Sequence, residues 1–427
     1  TEIYALSLHD ALPIFDSSSL TSRIDVGQNI AGWLKVRVRG QKGDTIRIVY
    51  AEKLNADGTL YRDNFRNARS TDIYICNGEE GQNGRWWTPT FVYHGFKYAE
   101  VIGLKNATKN DYVAEVVADE MQTTGHFECS DTILNKVIRN AWWGVLDNYK
   151  GMPIDCPQRD ERQPWLGDRT MGSLGESFLF DNERLYTKWM RDICEAQRTD
   201  GCIPDVAPAF WNYYSDDVAW AAALPFSCDM LWRQYGNTEA IERSYPFIKK
   251  WVQHIIEEYS RDGIIHCGKY ADWCVPPEKL ELIHSQDPDR KTDVTLISTA
   301  YIIRTMQLME QWGCEPGYWR PIRKRMTEAF NKKFLTIKRG TSPRPGHVLY
   351  PDSVYYGNNT VTANILPLAI GIVTDDCKDD ITAMKLIKQA ANLKDEKRKA
   401  AMLDSINQLN ISSAVKYLLE EAQKEPE

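Results

Sequence analysis

From Trp33 to Gly103 apolar and polar residues alternate. In WLKVRVRG, Leu34, Val36 and Val38 fall on one face and Lys35, Arg37 and Arg39 on the other, and DTIRIVYAE and TDIYIC repeat the habit. The alternation predicts half-buried strands, and RGQKGD, NADGT and NGEEGQNG supply the turns that an antiparallel sandwich requires. After about Gly125 the period lengthens. SDTILNKVIRNAWWGVLDNY puts Ile133, Leu134, Val137, Ile138 and Trp142 on one stripe, with Ser130 placed to cap. NERLYTKWMRDICEAQ, YPFIKKWVQHIIEEY, TLISTAYIIRTMQLMEQW and WRPIRKRMTEAFNKKF are predicted helices, joined by loops rich in Gly, Pro and Asp. Such helix pairs predict a toroid of α-hairpins whose loops at one end surround a pocket.

Both ends depart from this plan. TEIYALSLHDALPIFDSSSL has no consistent period, and after Asp375 the chain turns rich in lysine and glutamate, as a solvated pair of surface helices would be. The expected organisation is therefore an uncertain or foreign segment over 1–20, a β-sandwich over 21–118, an (α/α)6-type toroid, incomplete, over 119–375, and a charged helical tail over 376–427. The fold class is α+β, multidomain.

Composition narrows the function. A chain of 427 residues, 43% hydrophobic and 26% charged, is long enough for two cores. Its net charge of −7, with no stripe of Lys and Arg, speaks against a nucleic-acid partner. Apolar runs stay short of the roughly 18 residues that span a bilayer, so no membrane partner is expected, and no basic-then-apolar leader opens the chain. Ten cysteines without a CxxC pair or a Cys/His metal spacing read as mostly buried thiols. No metal or cofactor is expected, and periplasmic, secreted and cytoplasmic locations all fit. Fourteen Trp and 21 Tyr are a heavy aromatic load, useful in cores and against the apolar faces of sugars.

The densest chemistry lies in GMPIDCPQRDERQPWLGDR, residues 151–169. Pro153 and Pro157 forbid a regular helix there, while Asp155, Arg159, Asp160, Glu161, Arg162 and Asp168 are crowded together beside Trp165. Carboxylates held among carboxylates and next to a Trp are how one acid's pKa is raised while its neighbours stay ionised. The other reading is an Arg/Asp network that closes a loop.

DCPQRDER followed by WLGD resembles the hallmark of the glycoside hydrolase family 78 α-L-rhamnosidases. IDVGQNIAGWLKVRVRG, AEKLNADGTLYRDNFRNARSTDIY and FVYHGFKYAEV resemble that family's β-domain, and DGCIPDVAP, YYSDDVAW, ADWCVP and TANILPLAIG follow in family order, so the likeness covers roughly residues 24–373. It implies an (α/α)6 barrel flanked by β-sandwiches and inverting removal of terminal α-L-rhamnose from a rhamnose-containing oligosaccharide or glycoside, such as a plant glycoside or pectin side chain. Carried onto matching positions, it makes Glu161 the general acid. Asp155 and Arg159 hold sugar hydroxyls and the acid, and Trp165 and Asp168 pack on and bind the ring. Tyr214 and Asp216 fall where the family shows W-x-D, and Asp272 and Trp273 where it shows G-D-W, with Tyr214 in place of Trp and Ala271 in place of Gly. Helix N-capping is the other role open to Asp216 and Asp272.

An inverting glycosidase also needs a water-activating carboxylate roughly 6.5–9.5 Å from the acid. The family's late Glu, in a T-x-W-E type segment, has no counterpart after TANILPLAIG, so the chain reads as truncated at both ends and slow as a hydrolase by itself. The rival expectations are a non-catalytic carbohydrate-binding fragment, and another (α/α)6 enzyme such as an unsaturated uronyl hydrolase or polysaccharide lyase.

Overall fold

The computed structural model describes residues 2–6, 20–279, 281–282, 284–285, 287–338, 353–391, 393, 395–409, and 416, 419, 420 and 423. Most of the expected 1–20 segment, and the last part of the expected tail, lie outside these residues. The chain divides into two compact units, one of Thr1–Ile193, Val206–Trp211 and Arg233–Gly236, the other of Cys194–Asp205, Asn212–Trp232 and Asn237–Glu427.

In the first unit the strands are β1 (Glu2–Leu6), β2 (Thr21–Val38), β3 (Thr45–Ala51), β4 (Lys53–Leu54), β5 (Leu60–Tyr61), β6 (Thr71–Ile75), β7 (Arg85–Trp87), β8 (His94–Ile102) and β9 (Tyr112–Ala118). The β-domain is one curled antiparallel sheet in the order β1-β9-β2-β8-β3-β6, with β7 also on β2 and β4-β5 a separate hairpin. Strand β2 begins well before Trp33, where the alternation becomes legible. It pairs with β8 over Thr21–Gly32, with β9 over Gly32–Val36 and with β7 over Val36–Val38, and its register with β8 shifts between Asp25 and Ile30. An interrupted register of this kind bends a strand and lets one sheet curl on itself. At Gly32 β2 passes so close to β9 that an added Cβ would sit 1.9 Å from the Glu115 carbonyl oxygen. Leu34, Val36 and Val38 are fully buried, as the alternation predicts, in a cluster with Ile24, Ile46, Ile48, Phe96, Val101 and Val116.

Helix α1 (Thr132–Asp147) closes that cluster through Leu146, with Trp142 and Trp143 packed against it. Two details differ from expectation. Asp131, not Ser130, caps α1, accepting from the Ile133 and Leu134 amides, and the stripe begins in solvent, since Ile133, Leu134 and Val137 are exposed. The short aspartate carboxylate reaches the first-turn amides and adds favourable charge at the helix N-terminus. Helices α2 (Leu166–Ser177) and α3 (Glu183–Glu195) follow.

The second unit carries α4 (Val218–Ala221), most of α5 (Ala223–Tyr235), then α6 (Glu239–Tyr259), α7 (Val294–Gln311), α8 (Pro316–Phe334), α9 (Val361–Ala369), α10 (Asp375–Ala391) and α11 (Glu396–Ile406). Helix α7 is apolar nearly all round, and it is buried among α8, α4 and α9. The tail helices α10 and α11 pack together over Ala390, Leu403 and Ile406, so their lysine-rich sequence hides a small core that the expectation of a solvated pair omitted.

Candidate active site

The loop 155–163 closes on itself before α2 begins. The Asp155 amide donates to the Gln163 carbonyl (2.9 Å), and Asp155 Oδ1 accepts the Gln163 amide (2.6 Å). The other oxygen, Oδ2, accepts from Arg159 Nη2 at 3.0 Å. The second half of the motif is helical: Trp165 stands at the N-cap of α2, and Asp168 lies in its first turn. From below, Arg169 donates to the Ile154 carbonyl (2.7 Å) and pairs with Glu176 (3.4 Å), which also accepts hydroxyls from Tyr149 and Tyr186. This buried network fixes the start of the loop to the helix that follows it.

The sheet presses on the loop from the other side. Arg162 donates to the Tyr93 carbonyl (2.9 Å) and lies over the Tyr93 ring at 4.6 Å. At Gly95, in β8, an added Cβ would come within 2.6 Å of Gln158 Cβ. Arg66, between β5 and β6, reaches Asp160 (2.8 Å) and Glu161 (2.7 Å).

Glu161 is thus the best-satisfied carboxylate of the loop. Its Oε1 accepts from Trp165 Nε1 at 2.7 Å, and its Oε2 from Arg66 Nη2 at 2.7 Å and Arg159 Nε at 3.0 Å. Burial alone would raise its pKa, but the hydrogen bonds from Arg66 and Trp165 and the charge of Arg159 prevail, and the carboxyl is held below the ordinary glutamate range. The upward shift expected of a crowded acid falls instead on Asp168, through desolvation first, with Asp155 and Glu161 adding to it and Arg169 and Arg159 opposing. Asp168 itself is exposed to solvent.

The candidates of the second unit are spread over three settings. Asp216, with a left-handed φ of 53°, accepts the Tyr259 hydroxyl at Oδ2 (2.7 Å), and its Oδ1 lies 3.0 Å from His254 Nε2. Its neighbour Asp217 takes the capping role, accepting the Trp220 amide of α4. The Tyr214 hydroxyl donates to the Ala196 carbonyl, and its ring lies beneath Arg198. Asp272 accepts the amide and hydroxyl of Thr292, and Trp273, half exposed, stacks on His284. Neither Asp216 nor Asp272 caps a helix. Sequence reasoning passed over Asp205, buried and hydrogen-bonded by Ser215 and Tyr270, although DGCIPDVAP contains it. It also passed over Arg66, because nothing local in RDNFR points to a partner 95 positions away.

Among the described residues two groups bring three metal-ligating side chains together: Cys202, Asp216 and His254, and Asp155, Cys156 and Glu161. In the second, the two guanidinium groups on Glu161 oppose a cation, and burial pushes the Cys156 thiol up to about 12. No helix among the described residues is long and apolar enough to cross a membrane.

Residues 122–398 match the family model of the bacterial alpha-L-rhamnosidase 6 hairpin glycosidase domain, and residues 18–119 that of the bacterial alpha-L-rhamnosidase concanavalin-like domain. The chain belongs to the bacterial α-L-rhamnosidase family. Within it, an alpha-L-rhamnosidase of Streptomyces avermitilis is 32% identical over 299 residues, covering 69% of this chain and 27% of its own, and one of Formosa agariphila is 30% identical over 375 residues, covering 85% and 38%. The chain spans well under half the length of these curated relatives. Among solved structures, the α-L-rhamnosidase from Dictyoglumus thermophilum superposes with a TM-score of 0.74 at 32% identity, covering 88% of this chain and 40% of that one. The Streptomyces avermitilis enzyme complexed with L-rhamnose gives 0.76 at 25% identity, covering 99% and 38%. The family has the architecture read from the sequence, a β-domain followed by a helical six-hairpin domain, and the lyase and uronyl hydrolase readings are not favoured.

Proposed function

We propose that this chain carries the acid-catalytic part of an α-L-rhamnosidase site, which removes terminal α-L-rhamnose with inversion from a rhamnose-containing oligosaccharide or glycoside, such as a plant glycoside or pectin side chain. The observation that supports it best is Glu161, nearly buried and held by Trp165, Arg159 and Arg66 in the loop where the family motif falls. Glu161 would give its proton to the leaving glycosidic oxygen. Arg159, itself held by Asp155, would orient Glu161 and donate to a sugar hydroxyl, and Asp168 would accept from another. Rhamnose is a 6-deoxy sugar, so its methyl group and ring face suit an aromatic wall, the part assigned to Trp165. Tyr214, Asp216, Asp272 and Trp273, at positions that match the family's motifs, are assigned to sugar contacts, and Trp273 has an exposed ring.

The test is Glu161→Gln. Turnover of rhamnosides with poor leaving groups should fall by roughly 10²–10⁴-fold, while activated aryl rhamnosides, which need no proton, keep much of their rate. Equal losses on both would remove Glu161 from the acid's role. Calorimetric titration of the wild type with L-rhamnose tests binding apart from turnover.

A further inference from the structure

Arg66 combines two properties, a strained backbone and an exposed side chain. Its backbone sits at φ 56°, ψ −116°, in the left-handed half of the map where a side chain is strained. That conformation carries its guanidinium to the two carboxylates of the motif loop, Asp160 and Glu161, while the next amide, Asn67 N–H, donates to Asp160 Oδ2 at 3.3 Å. Strain of this kind persists where the surroundings over-determine it, and it clusters at functional sites.

The second property is exposure. Of the three donors on Glu161, Arg159 is also tied to Asp155, Arg66 to Asp160, and Trp165 is fixed at the start of α2. Arg66 is half exposed, and Glu161 is 15% exposed. A carboxyl that delivers a proton to a glycosidic oxygen needs one oxygen facing that atom, and Oε2 now carries two guanidinium groups. Arg66, the more exposed of the two guanidinium groups, is the one that can give up Oε2 while keeping its pair with Asp160.

We propose that Arg66 is a positioning residue through which the β-domain governs Glu161: it holds the carboxylate in the empty site and yields Oε2 when the sugar arrives. The inference rests on the reading of Glu161 as the acid. Arg66 stays protonated throughout, the proton that Glu161 takes up comes from solvent, and the same proton passes to the glycosidic oxygen. The other charged groups near Glu161 are Arg159, Arg162, Asp155, Asp160 and Asp168, so removing Arg66 leaves Arg159 as its ion-pair partner.

The experiment follows the Glu161 side-chain carbon by 13C NMR in the full chain labelled at glutamate, with its signal assigned by loss in Glu161→Gln. In Arg66→Gln the titration midpoint should move to higher pH, and Arg66→Lys, which keeps a charge but not the planar fork, should restore part of the shift. Saturating L-rhamnose should move the wild-type midpoint upward and leave that of Arg66→Gln nearly unchanged. A midpoint indifferent to Arg66→Gln would overturn the proposal. A shift in the variant without a rhamnose effect on the wild type, where calorimetry shows rhamnose bound, would overturn the release. If calorimetry shows no rhamnose binding, the reading of the site fails, and the variants still decide whether Arg66 controls Glu161. Arg66→Lys covers the case in which Arg66→Gln does not fold.

Discussion

Trp165 was read in the sequence as a wall for the sugar, yet its indole N–H points at Glu161 Oε1. The two roles separate by substitution. Trp165→Phe keeps an apolar ring and loses the hydrogen bond; one to a charged group contributes roughly 1.5 kcal/mol at a partly exposed site, so kcat/KM on poor leaving groups should fall about tenfold with little change in rhamnose affinity. Trp165→Ala should also weaken rhamnose binding, by about 1–3 kcal/mol in calorimetry. Equal affinity losses in both variants would refute the division. Glu176 serves the same loop from beneath. Glu176→Gln leaves Arg169 buried without its counter-ion and should cost about 3 kcal/mol in urea unfolding; a change under about 0.5 kcal/mol would mean the network does not carry the loop. At this scale Asp155, Arg159, Glu161, Trp165 and Asp168 were legible because they are neighbours in sequence. The electrostatics were not. The motif shows its own carboxylates, but Arg66, which with Trp165 and Arg159 lowers Glu161, comes from another part of the chain.

Elements were legible where their period was clean. WLKVRVRG alternates strictly and is a strand, whereas the earlier half of β2 passes through GQNIAG and an interrupted register, where alternation is lost although the strand continues. Helix α2 was hidden for a related reason. LGDRTMGSLGES holds three glycines and little apolar stripe, and tertiary packing, with Leu166 and Thr170 buried, sustains a helix that propensity would not. At its far end α1 joins the sheet through Asp147, whose buried carboxyl accepts the Ala31 amide at 2.8 Å. Burial is the main cause that raises this carboxyl, against the Ala31 amide and Lys150. A carboxyl with a raised folded-state pKa binds more protons folded than unfolded. Its contribution to stability is complete below the unfolded carboxylate pKa and is lost as pH rises through the folded value. Asp147→Asn, which mimics the protonated form, should therefore gain stability over the wild type between pH 5 and pH 8, as measured by thermal melting. A difference that does not vary with pH would refute the shift.

For the whole molecule, the motif loop, the sheet and the family models draw different borders. The two family models meet near residue 120, where the periodicity also changes, but the chain's compactness keeps everything up to Ile193 with the sheet. Phe180 and Leu146 lie in the sheet's own apolar cluster. A protein made of residues 122–398 alone should thus expose that surface and aggregate, whereas the full chain nicked by a protease between Asp119 and Ser130 should elute as one species in gel filtration. Separation of the nicked halves would show that the cluster does not hold them. The family was legible because the motif is one continuous stretch of sequence, while the joint between sheet and loop consists of single contacts scattered along β8 and the segment before β6.

The narrowest of those contacts is Gly95, whose missing side chain leaves room for Gln158. It works as a gauge between two parts that sequence comparison treats as separate modules. A recombination event at the module border would pair one parent's β8 with another parent's loop, and only parents that agree at this spacing, and at the arginine between β5 and β6, would give a working hybrid. The border therefore invites domain shuffling on paper, yet the fit at Gly95 should oppose it: the β-domain and the motif loop should work only as a matched pair, even where the helices beyond them are exchanged.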